Sequence, residues 1–349
     1  MSACAADSSG LSDVLDALRV RSDVLFGHPD TCFQALTFFD RPFSTVVRLR
    51  IEPPAGSPLY AFTKIYKTRL WQPYETPRSA AEVVEQEFAA TSRLYAALSG
   101  RPGFASPRPI ASFPEHGAIV TGELEGSPLD RALRRPRRGS TPLLLSIATR
   151  IAAWLRAYQA SQEAEPRGYW DADANRAYLD DRLRHITPRF LPVEARHEAL
   201  ALFDRIAAEV TGAEPLVAIH ADLCPGNILI MPGGGIAVLD FATAQQGTRF
   251  HDIAHLYLHL ELARRRVRRR VDLGAMQEAL MAGFDRASSV SHPLFRLMLL
   301  QHIVCHVTQL ADSAGWRPRA AVRALARWRW NNCLAVAALS RRNEVCDAA

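Results

Sequence analysis

One short stretch constrains this chain more than any other: residues 220–227, with the sequence His-Ala-Asp-Leu-Cys-Pro-Gly-Asn. Short β-branched runs lie on either side of it, and a third run precedes Leu239-Asp240-Phe241. These runs, broken by Pro232 and the three glycines that follow it, predict small strands arranged around a hairpin. The polar side chains between them therefore lie on loops held by a rigid scaffold, where chemistry is usually placed.

The spacing of these polar residues indicates phosphoryl transfer. Asp222 stands five residues before Asn227, and Asp240 follows thirteen residues later. This H-x-D-x-x-x-x-N…D-F arrangement is typical of kinase-type phosphotransferases. Asp222 can accept the proton of an attacking hydroxyl, while Asn227 and Asp240 offer the hard oxygen ligands that Mg²⁺ prefers. His220 is predicted to brace the loop. The alternative, a polar turn followed by a hairpin turn, does not account for all three spacings together.

The stretch resembles the H-G-D-x-x-x-x-N loop of the aminoglycoside phosphotransferase and choline kinase family. That family usually has Gly where Ala221 stands, often His where Cys224 stands, and Gly, Glu or Asp where Ala242 stands. None of these three departures removes a group that handles protons or metal.

The resemblance implies a two-lobed, protein-kinase-like α+β fold. The N-terminal lobe, 1–122, would hold a five-stranded antiparallel sheet and one helix, with 1–30 as an N-terminal extension. The lobe from 123 to 349 would be mainly helical. The activity it implies is Mg²⁺-dependent transfer of the ATP γ-phosphate to a hydroxyl of a sugar, amino sugar or amino alcohol.

In such a fold a strand lysine holds the ATP phosphates. Residues 45–51 and 59–67 are predicted to form a hairpin, and strand alternation places Lys64 and Lys67 on opposite faces. A mid-strand lysine between apolar neighbours needs an anion, so Lys64 is the predicted phosphate ligand. The alternative is an edge-strand lysine that guards against aggregation.

A helix from the capping box Ser79–Glu82 to Leu98 is predicted to supply the partner of that lysine. Glu87 lies on its apolar stripe and is expected to pair with Lys64. The alternative is an ordinary surface glutamate.

The resemblance also implies the remaining parts of the nucleotide site. The stretch Phe38–Ser44 occupies the place of the phosphate-covering loop but holds no glycine, so a cradle there must use Ser44 or main-chain amides. Glu123 and Leu124 resemble the interlobe hinge, whose main chain reads adenine. Asp252, at a helix entrance, is predicted to brace the catalytic loop through hydrogen bonds.

The acceptor site is placed by composition. Trp170, Asp171 and Asp173 mix an aromatic ring with carboxylates, which suits a neutral or cationic acceptor. A helix N-cap rich in Asp explains the same residues equally well. The formal charge of +6 and the arginine clusters at 131–138 and 264–270 keep open an anionic glycan- or lipid-type acceptor, or contact with an anionic surface. Solvated helix faces explain those clusters more simply.

Composition and motifs exclude several other classes of protein. With 349 residues, 48% of them hydrophobic, the chain is an ordinary globular one. Six cysteines without a C-x-x-C pair predict neither a disulfide framework nor a zinc site. The N-terminus lacks a signal pattern, so we expect a cytoplasmic enzyme without a transmembrane segment. One rival is a kinase-like pseudoenzyme that binds nucleotide or a partner without turnover. A protein kinase is disfavoured, because no A-P-E-like segment follows Asp240.

Overall fold

A computed structural model describes residues 8–67, 78–98, 100–134, 139–161, 168–188, 191–267, 272–285 and 290–312. The chain divides into two compact units, Met1–Ser127 with Met231–Ala244, and Pro128–Ile230 with Gln245–Ala349. The segment 231–244 thus belongs to the first unit, whereas both predicted lobes were continuous. The assignment of nucleotide and acceptor binding to lobes split at 122/123 stays a prediction. The predicted arginine cluster at 264–270 and the first one at 131–138 lie partly outside the described residues.

The first unit is built on an antiparallel sheet. Its strands, and a short neighbour, are β1 (Cys32–Asp40), β2 (Ser44–Glu52), β3 (Leu59–Tyr66), β4 (Phe104–Ala105), β5 (Pro109–Phe113) and β6 (Ala118–Gly122). Among the described residues, five of them form one sheet in the order β1-β2-β3-β6-β5. This confirms the predicted five-stranded sheet. The two-residue β4 pairs instead, in parallel, with β10 (Ile236–Val238).

One face of this sheet is covered by the start of the chain. The helices α1 (Ser8–Val20) and α2 (Ser22–Phe26) precede the first strand, and Val14 and Leu18 of α1 are fully buried in one cluster with the inward residues of β2. Burial of apolar side chains stabilises the fold by about 25 cal/mol per Å² removed from water. Residues predicted to be an extension therefore complete the core of the first unit.

The helix α3 (Ala80–Leu98) begins at the predicted capping box. The main-chain N–H of Ser79 donates to Glu82 Oε2 at 2.7 Å, and the N–H of Glu82 donates to Ser79 Oγ at 3.2 Å. Two donors that a helix start leaves without intrahelical partners are thus satisfied reciprocally. This confirms the predicted start of the helix that carries Glu87.

The second unit is mainly helical. Its helices are α4 (Leu129–Arg134), α5 (Thr141–Ala160), α6 (Ala172–His185), α7 (Val193–Ala207), α8 (His251–Val267), α9 (Leu273–Phe284) and α10 (Pro293–Asp312). Its short strands are β8 (Val217–Ile219), β9 (Ile228–Ile230) and β11 (Gln245–Gly247), with Ser127–Pro128 (β7) at the junction of the two units. The loop between β8 and β9 carries residues 220–227. The predicted helical stretch from 313 to Leu339 lies outside the described residues.

Helix packing buries the apolar stripes of this unit. The helix α5 packs against α9, and α10 packs against α6, α7 and α8. In the part of the chain that the structure describes, Pro293–Ala311 is the one helix long and apolar enough to cross a membrane, and 67% of its most apolar window is buried inside the fold. A buried core helix meets the same criterion of length and composition.

Candidate active site

Lys64 lies between two carboxylates. Its Nζ atom is 3.2 Å from each oxygen of Glu87 and 2.6 Å from Oδ1 of Asp240. The side chain of Lys64 is 16% exposed and that of Glu87 only 4%, so both charges are largely removed from water. The predicted Lys64–Glu87 ion pair is therefore present.

Tyr66, two residues along the same strand face, completes this group. Its hydroxyl donates to Glu87 Oε2, and the Nζ atom of Lys64 lies 4.8 Å from the centre of its ring. Burial opposes the charge on Lys64, but the attraction of Glu87 and Asp240 outweighs it and raises the pKa of Lys64 well above the ordinary 10.5. Lys64 is thus a fixed positive charge, suited to phosphate oxygens.

Lys67 is engaged elsewhere. Its Nζ atom lies 2.6 Å from Asp40 Oδ1 and 2.5 Å from the carbonyl oxygen of Arg41, at the turn between β1 and β2. It therefore supports that turn, and the buried lysine is Lys64, as predicted.

The turn itself differs from the predicted loop. Phe38, Phe39 and Asp40 belong to β1, which leaves only residues 41–43 between the strands. After a register shift between Ala35 and Thr37, cross-strand pairing continues without a break to Asp40↔Thr45. Ser44 is 5% exposed at the start of β2. Its predicted contact with nucleotide stays a prediction.

Glu123 and Leu124 follow β6 directly. The main-chain N–H of Glu123 donates to the Tyr60 carbonyl at 2.9 Å, which extends the sheet by one hydrogen bond. Its carboxylate accepts from Arg48 Nε at 3.0 Å and from Nη2 at 2.9 Å. The segment is thereby fixed against the sheet, and the adenine-reading role of its main chain stays a prediction.

Asp240 has an unusual main chain. Its φ angle is +69°, in the left-handed region that Asp adopts more readily than most residues. The residues after it are anchored to α3 and to the segment just before it, since Gln86 of α3 donates to the carbonyl of Ala244 and Arg78 donates to that of Ala242 at 3.3 Å. The carboxylate of Asp240 is 43% exposed and can exchange partners.

The loop 220–227 is held from beneath by Asp252. The N–H groups of His220 and Ala221 donate to its two carboxylate oxygens at 2.7 and 2.9 Å. Asp252 is fully buried, which opposes ionisation, but contact with His251 and the nearby His220 outweighs burial and holds its pKa below 3.8. The predicted brace is therefore present, and its strength comes from charge-assisted hydrogen bonds.

Ala221 occupies the one position where the loop needs a left-handed residue. Its φ angle is +63°, a conformation that costs a side chain about 1–2 kcal/mol relative to glycine. The loop that this stretch resembles usually has Gly at this position. Alanine in its place is therefore expected to lower the stability of the folded loop by that amount.

Asn227 fixes the orientation of Asp222. Its Nδ2 donates to the main-chain carbonyl of Asp222 at 3.0 Å and to the carboxylate Oδ2 at 3.0 Å. With Nδ2 directed at Asp222, the amide oxygen Oδ1 is the atom left to face a cation. The main-chain N–H of Asp222 also donates to His220 Nδ1 at 3.3 Å.

The structure thus brings the predicted residues together in two groups. Lys64, Glu87 and Asp240 form one group in the first unit. The loop with His220, Asp222, Asn227 and Asp252 forms the other in the second unit. Comparison with known proteins identifies the family in which such groups occur. The model of the phosphotransferase enzyme family matches residues 46–288, more than two thirds of the chain.

The chain belongs to the phosphotransferase enzyme family. None of the curated proteins matches its sequence. Among solved structures it is similar to aminoglycoside phosphotransferase APH(4)-Ia, at 13% identity over 92% of this chain and 98% of that one, with a TM-score of 0.58. Choline kinase LicA from Streptococcus pneumoniae is similar at 13% identity over 93% and 99%, with a TM-score of 0.54. Ethanolamine kinase from Plasmodium vivax is similar at 12% identity over 91% and 87%, with a TM-score of 0.52.

These likenesses confirm the predicted protein-kinase-like α+β fold. Family membership makes the chain a phosphotransferase, which confirms the predicted enzyme class.

The residues predicted to meet the acceptor have a local explanation in this phosphotransferase. Asp171 caps α6, accepting from the N–H groups of Asp173 at 2.9 Å and Ala174 at 3.1 Å. The segment before it is fixed by the main-chain N–H of Trp170, which donates to the carbonyl of Glu214 at 2.8 Å. The capping explanation therefore holds for Asp171, and the acceptor role of Trp170, Asp171 and Asp173 stays a prediction.

Sequence reasoning missed three features of the site and its surroundings. Strand alternation places Tyr66 on the same face as Lys64, but no partner was predicted for it. The clamp of Arg48 on Glu123 depends on strand register, which the sequence left open. A third feature, a cluster of histidines on α8 and α10, is visible as two H-x-x-x-H spacings at 255/259 and 302/306.

Proposed function

We propose that this phosphotransferase transfers the γ-phosphate of ATP to a hydroxyl group of a small molecule, with Mg²⁺ as cofactor. The observation that carries the proposal is the braced loop, in which Asp222 is oriented by Asn227 and the main chain is anchored on Asp252. Similar solved structures support it, since APH(4)-Ia variants are described in ternary complexes with ADP or AMP-PNP and hygromycin B.

Asp222 acts on the acceptor. The acceptor oxygen forms a bond to the γ-phosphorus while the bond from that phosphorus to the bridging oxygen of ADP breaks. The Asp222 carboxylate takes the hydroxyl proton and orients the oxygen. Catalysis of this kind depends on positioning and charge neutralisation, so a rigid loop is the main requirement.

Lys64 acts on the nucleotide. Its ammonium carries a permanent charge and is aimed by Glu87, which leaves it able to exchange Asp240 for phosphate oxygens. The half-exposed Asp240 would then be released for other ligands.

The side chains proposed for Mg²⁺, one from each unit, carry the donor atoms that this ion prefers. The carboxylate of Asp240 and the amide Oδ1 of Asn227 are hard oxygen donors, and the orientation of Asn227 is set by its Nδ2 contacts. When bound, Mg²⁺ supplies neutralisation of the charge that develops on the phosphate oxygens.

For the acceptor we propose a neutral or cationic polyol, amino sugar or amino alcohol. Asp171 and Asp173 are exposed acidic groups that follow Trp170 in the sequence, and charges beyond about 10 Å are screened at ordinary salt. Changing both to Asn removes the charge and keeps an equally good helix cap. We expect a raised KM for the acceptor and an unchanged KM for ATP. An unchanged acceptor KM would move the proposal to the arginine-rich segments and an anionic acceptor.

The test of the function is ATP consumption across a panel of hydroxyl compounds, with 31P NMR of the products. The matched control is the Asp222→Asn variant, which keeps the shape of the loop. A phosphorylated acceptor formed by the parent and not by the variant supports the proposal. MgATP binding by calorimetry without turnover on any acceptor would favour the pseudoenzyme, for which the glycine-free turn at 41–43 argues.

A further inference from the structure

Three histidines on two packed helices of the second unit bring their ring nitrogens together. His255 and His259 lie on α8, and His306 lies on α10. One ring nitrogen from each lies within 4.8 Å of the others. The proposed phosphotransfer uses none of these residues, and no acidic residue belongs to this group among the described ones.

The spacing within α8 suits a shared cation. Residues four apart stand on one helix face, so His255 and His259 present their rings side by side. Their Nε2 atoms are 3.3 Å apart. Two nitrogens bound to a tetrahedral zinc at about 2.0–2.1 Å stand roughly 3.3 Å from each other. This pair already has the spacing of one edge of such a site.

The helix α10 supplies the third nitrogen, from His306, and a second histidine, His302, that packs against the cluster. The rings of His259 and His306 are 4.9 Å apart between centroids. The ring of His302 stacks on that of His255 at 4.4 Å with 9° between the planes, and its Nε2 contacts the carbonyl oxygen of His251 at 2.9 Å. His302 therefore orients the ring of His255 and is not counted as a ligand.

The chemistry of this cluster favours a metal over a set of charged imidazoles. The rings of His255 and His302 are buried and stacked on each other, so a positive charge on either ring would be poorly hydrated and would repel a charge on the other. Neutral imidazole is the form that binds metal. The Nδ1 atom of His255 is buried with no hydrogen-bond partner in the described part of the chain, so no hydrogen bond at that nitrogen competes with metal binding by the ring.

The geometry points to a metal site formed by His255, His259 and His306, which binds a borderline divalent transition ion such as Zn²⁺ through three imidazoles. Imidazole ligands suit Zn²⁺, Ni²⁺ and Cu²⁺ rather than Mg²⁺ or Ca²⁺, which prefer oxygen. Bundle sites of this kind are built from side chains on facing helices. Because His259 and His306 are half-buried, an ion can reach the site from solvent.

The test uses the full chain without a polyhistidine tag, stripped with a chelator and then titrated with Zn²⁺ against a chromogenic competitor. We expect one tight equivalent of zinc and a higher melting temperature in its presence, without nucleotide. His259→Gln and His306→Gln should each weaken zinc affinity by at least about 100-fold, more than the 10- to 100-fold typical of outer-shell changes. His197→Gln, at an exposed position of α7, is the control and should bind zinc like the parent.

Two results would overturn the proposal. One is no tight zinc on the parent; the other is zinc affinity within twofold of the parent in both glutamine variants, which would place the ion elsewhere. If the variants fail to fold, X-ray absorption of the zinc-loaded parent decides the question. Three imidazole nitrogens at about 2.0–2.1 Å are expected, and a sulfur-containing or oxygen-only shell would contradict the site. The phosphotransferase proposal stands or falls separately, because none of these measurements involves ATP.

Discussion

The two groups of proposed active-site residues are held by different forces. Lys64 is held by charge, between the carboxylates of Glu87 and Asp240. The loop that carries Asp222 is held by its main chain, through two N–H groups that donate to the buried Asp252. Ion pairs can exchange partners when a ligand arrives, whereas a main-chain anchor keeps one geometry. The group proposed to bind nucleotide is therefore adaptable, and the group proposed to orient the hydroxyl is rigid.

The largest effect should come from the rigid group. Asp222→Asn removes the proposed proton acceptor and no packing, so turnover should fall by about 10²- to 10⁴-fold. The melting temperature and MgATP affinity should stay close to those of the parent. Steady-state kinetics and calorimetry check this, and turnover within tenfold of the parent would reassign the base.

The adaptable group is tested by comparing two lysines. Lys64→Ala leaves Glu87 buried without its cation, which should lower the free energy of unfolding by about 3 kcal/mol and remove most turnover. Lys67→Ala breaks an exposed pair and should cost less than about 1 kcal/mol. Urea unfolding and kinetics on both variants check this. The reverse order would show that the strand register, and with it the Glu87 pairing, is wrong.

The two groups should lose stability at opposite ends of the pH range, because the pKa shifts of Asp252 and Lys64 have opposite signs. The pKa of Asp252 is lowered in the fold, so its contribution is present above pH 3.8 and is lost as pH falls through the folded value. The pKa of Lys64 is raised, so its contribution is present below pH 10.5 and is lost as pH rises further. Asp252→Asn should cost about 2 kcal/mol at pH 7, because an amide cannot accept both N–H groups.

Unfolding free energies from pH 3 to pH 11 measure this difference. Asp252→Asn should flatten mainly the acid limb of the profile, and Lys64→Met mainly the alkaline limb. Equal flattening of both limbs by either variant would mean that the two groups are not held by separate forces.

The smallest effect concerns the conformation of the loop. Ala221→Gly removes the strain of a left-handed backbone, which stabilises the folded state by about 1–2 kcal/mol. Glycine also raises the conformational entropy of the unfolded chain, which costs about 0.4–1 kcal/mol of stability. The free energy of unfolding should therefore rise by about 0.5 kcal/mol. Ala218→Gly, in the neighbouring strand β8, has no such strain and should lose about 1 kcal/mol. A loss at both positions in chemical denaturation would contradict the strain at residue 221.

The catalytic loop could be predicted from the sequence because its working residues are contiguous. The interval from His220 to Asn227 fixes which side chains share one turn, and the short β-branched runs place that turn between strands. The Lys64–Glu87 pair was also predictable, since strand alternation and helix periodicity each select one face.

The histidine cluster, the partner of Tyr66 and the Arg48–Glu123 ion pair were missed because they depend on long-range packing. The spacings of His255 with His259 and of His302 with His306 are visible in the sequence, but only the packing of α8 on α10 makes them one cluster. The same is true of Tyr66, whose hydroxyl meets Glu87 from another element. The short turn at 41–43 was missed because the family resemblance predicted a phosphate-covering loop over Phe38–Ser44.

The helix α1 has a practical consequence for anyone expressing this phosphotransferase. The family match begins at residue 46, inside β2, whereas Val14 and Leu18 are buried in the core of the same unit. A truncated gene cut to the family boundary would lack β1 and both covering helices, leaving an apolar sheet face and an open strand edge in water. Such a fragment would be prone to aggregate, and its failure to phosphorylate anything would say nothing about the chemistry of Asp222.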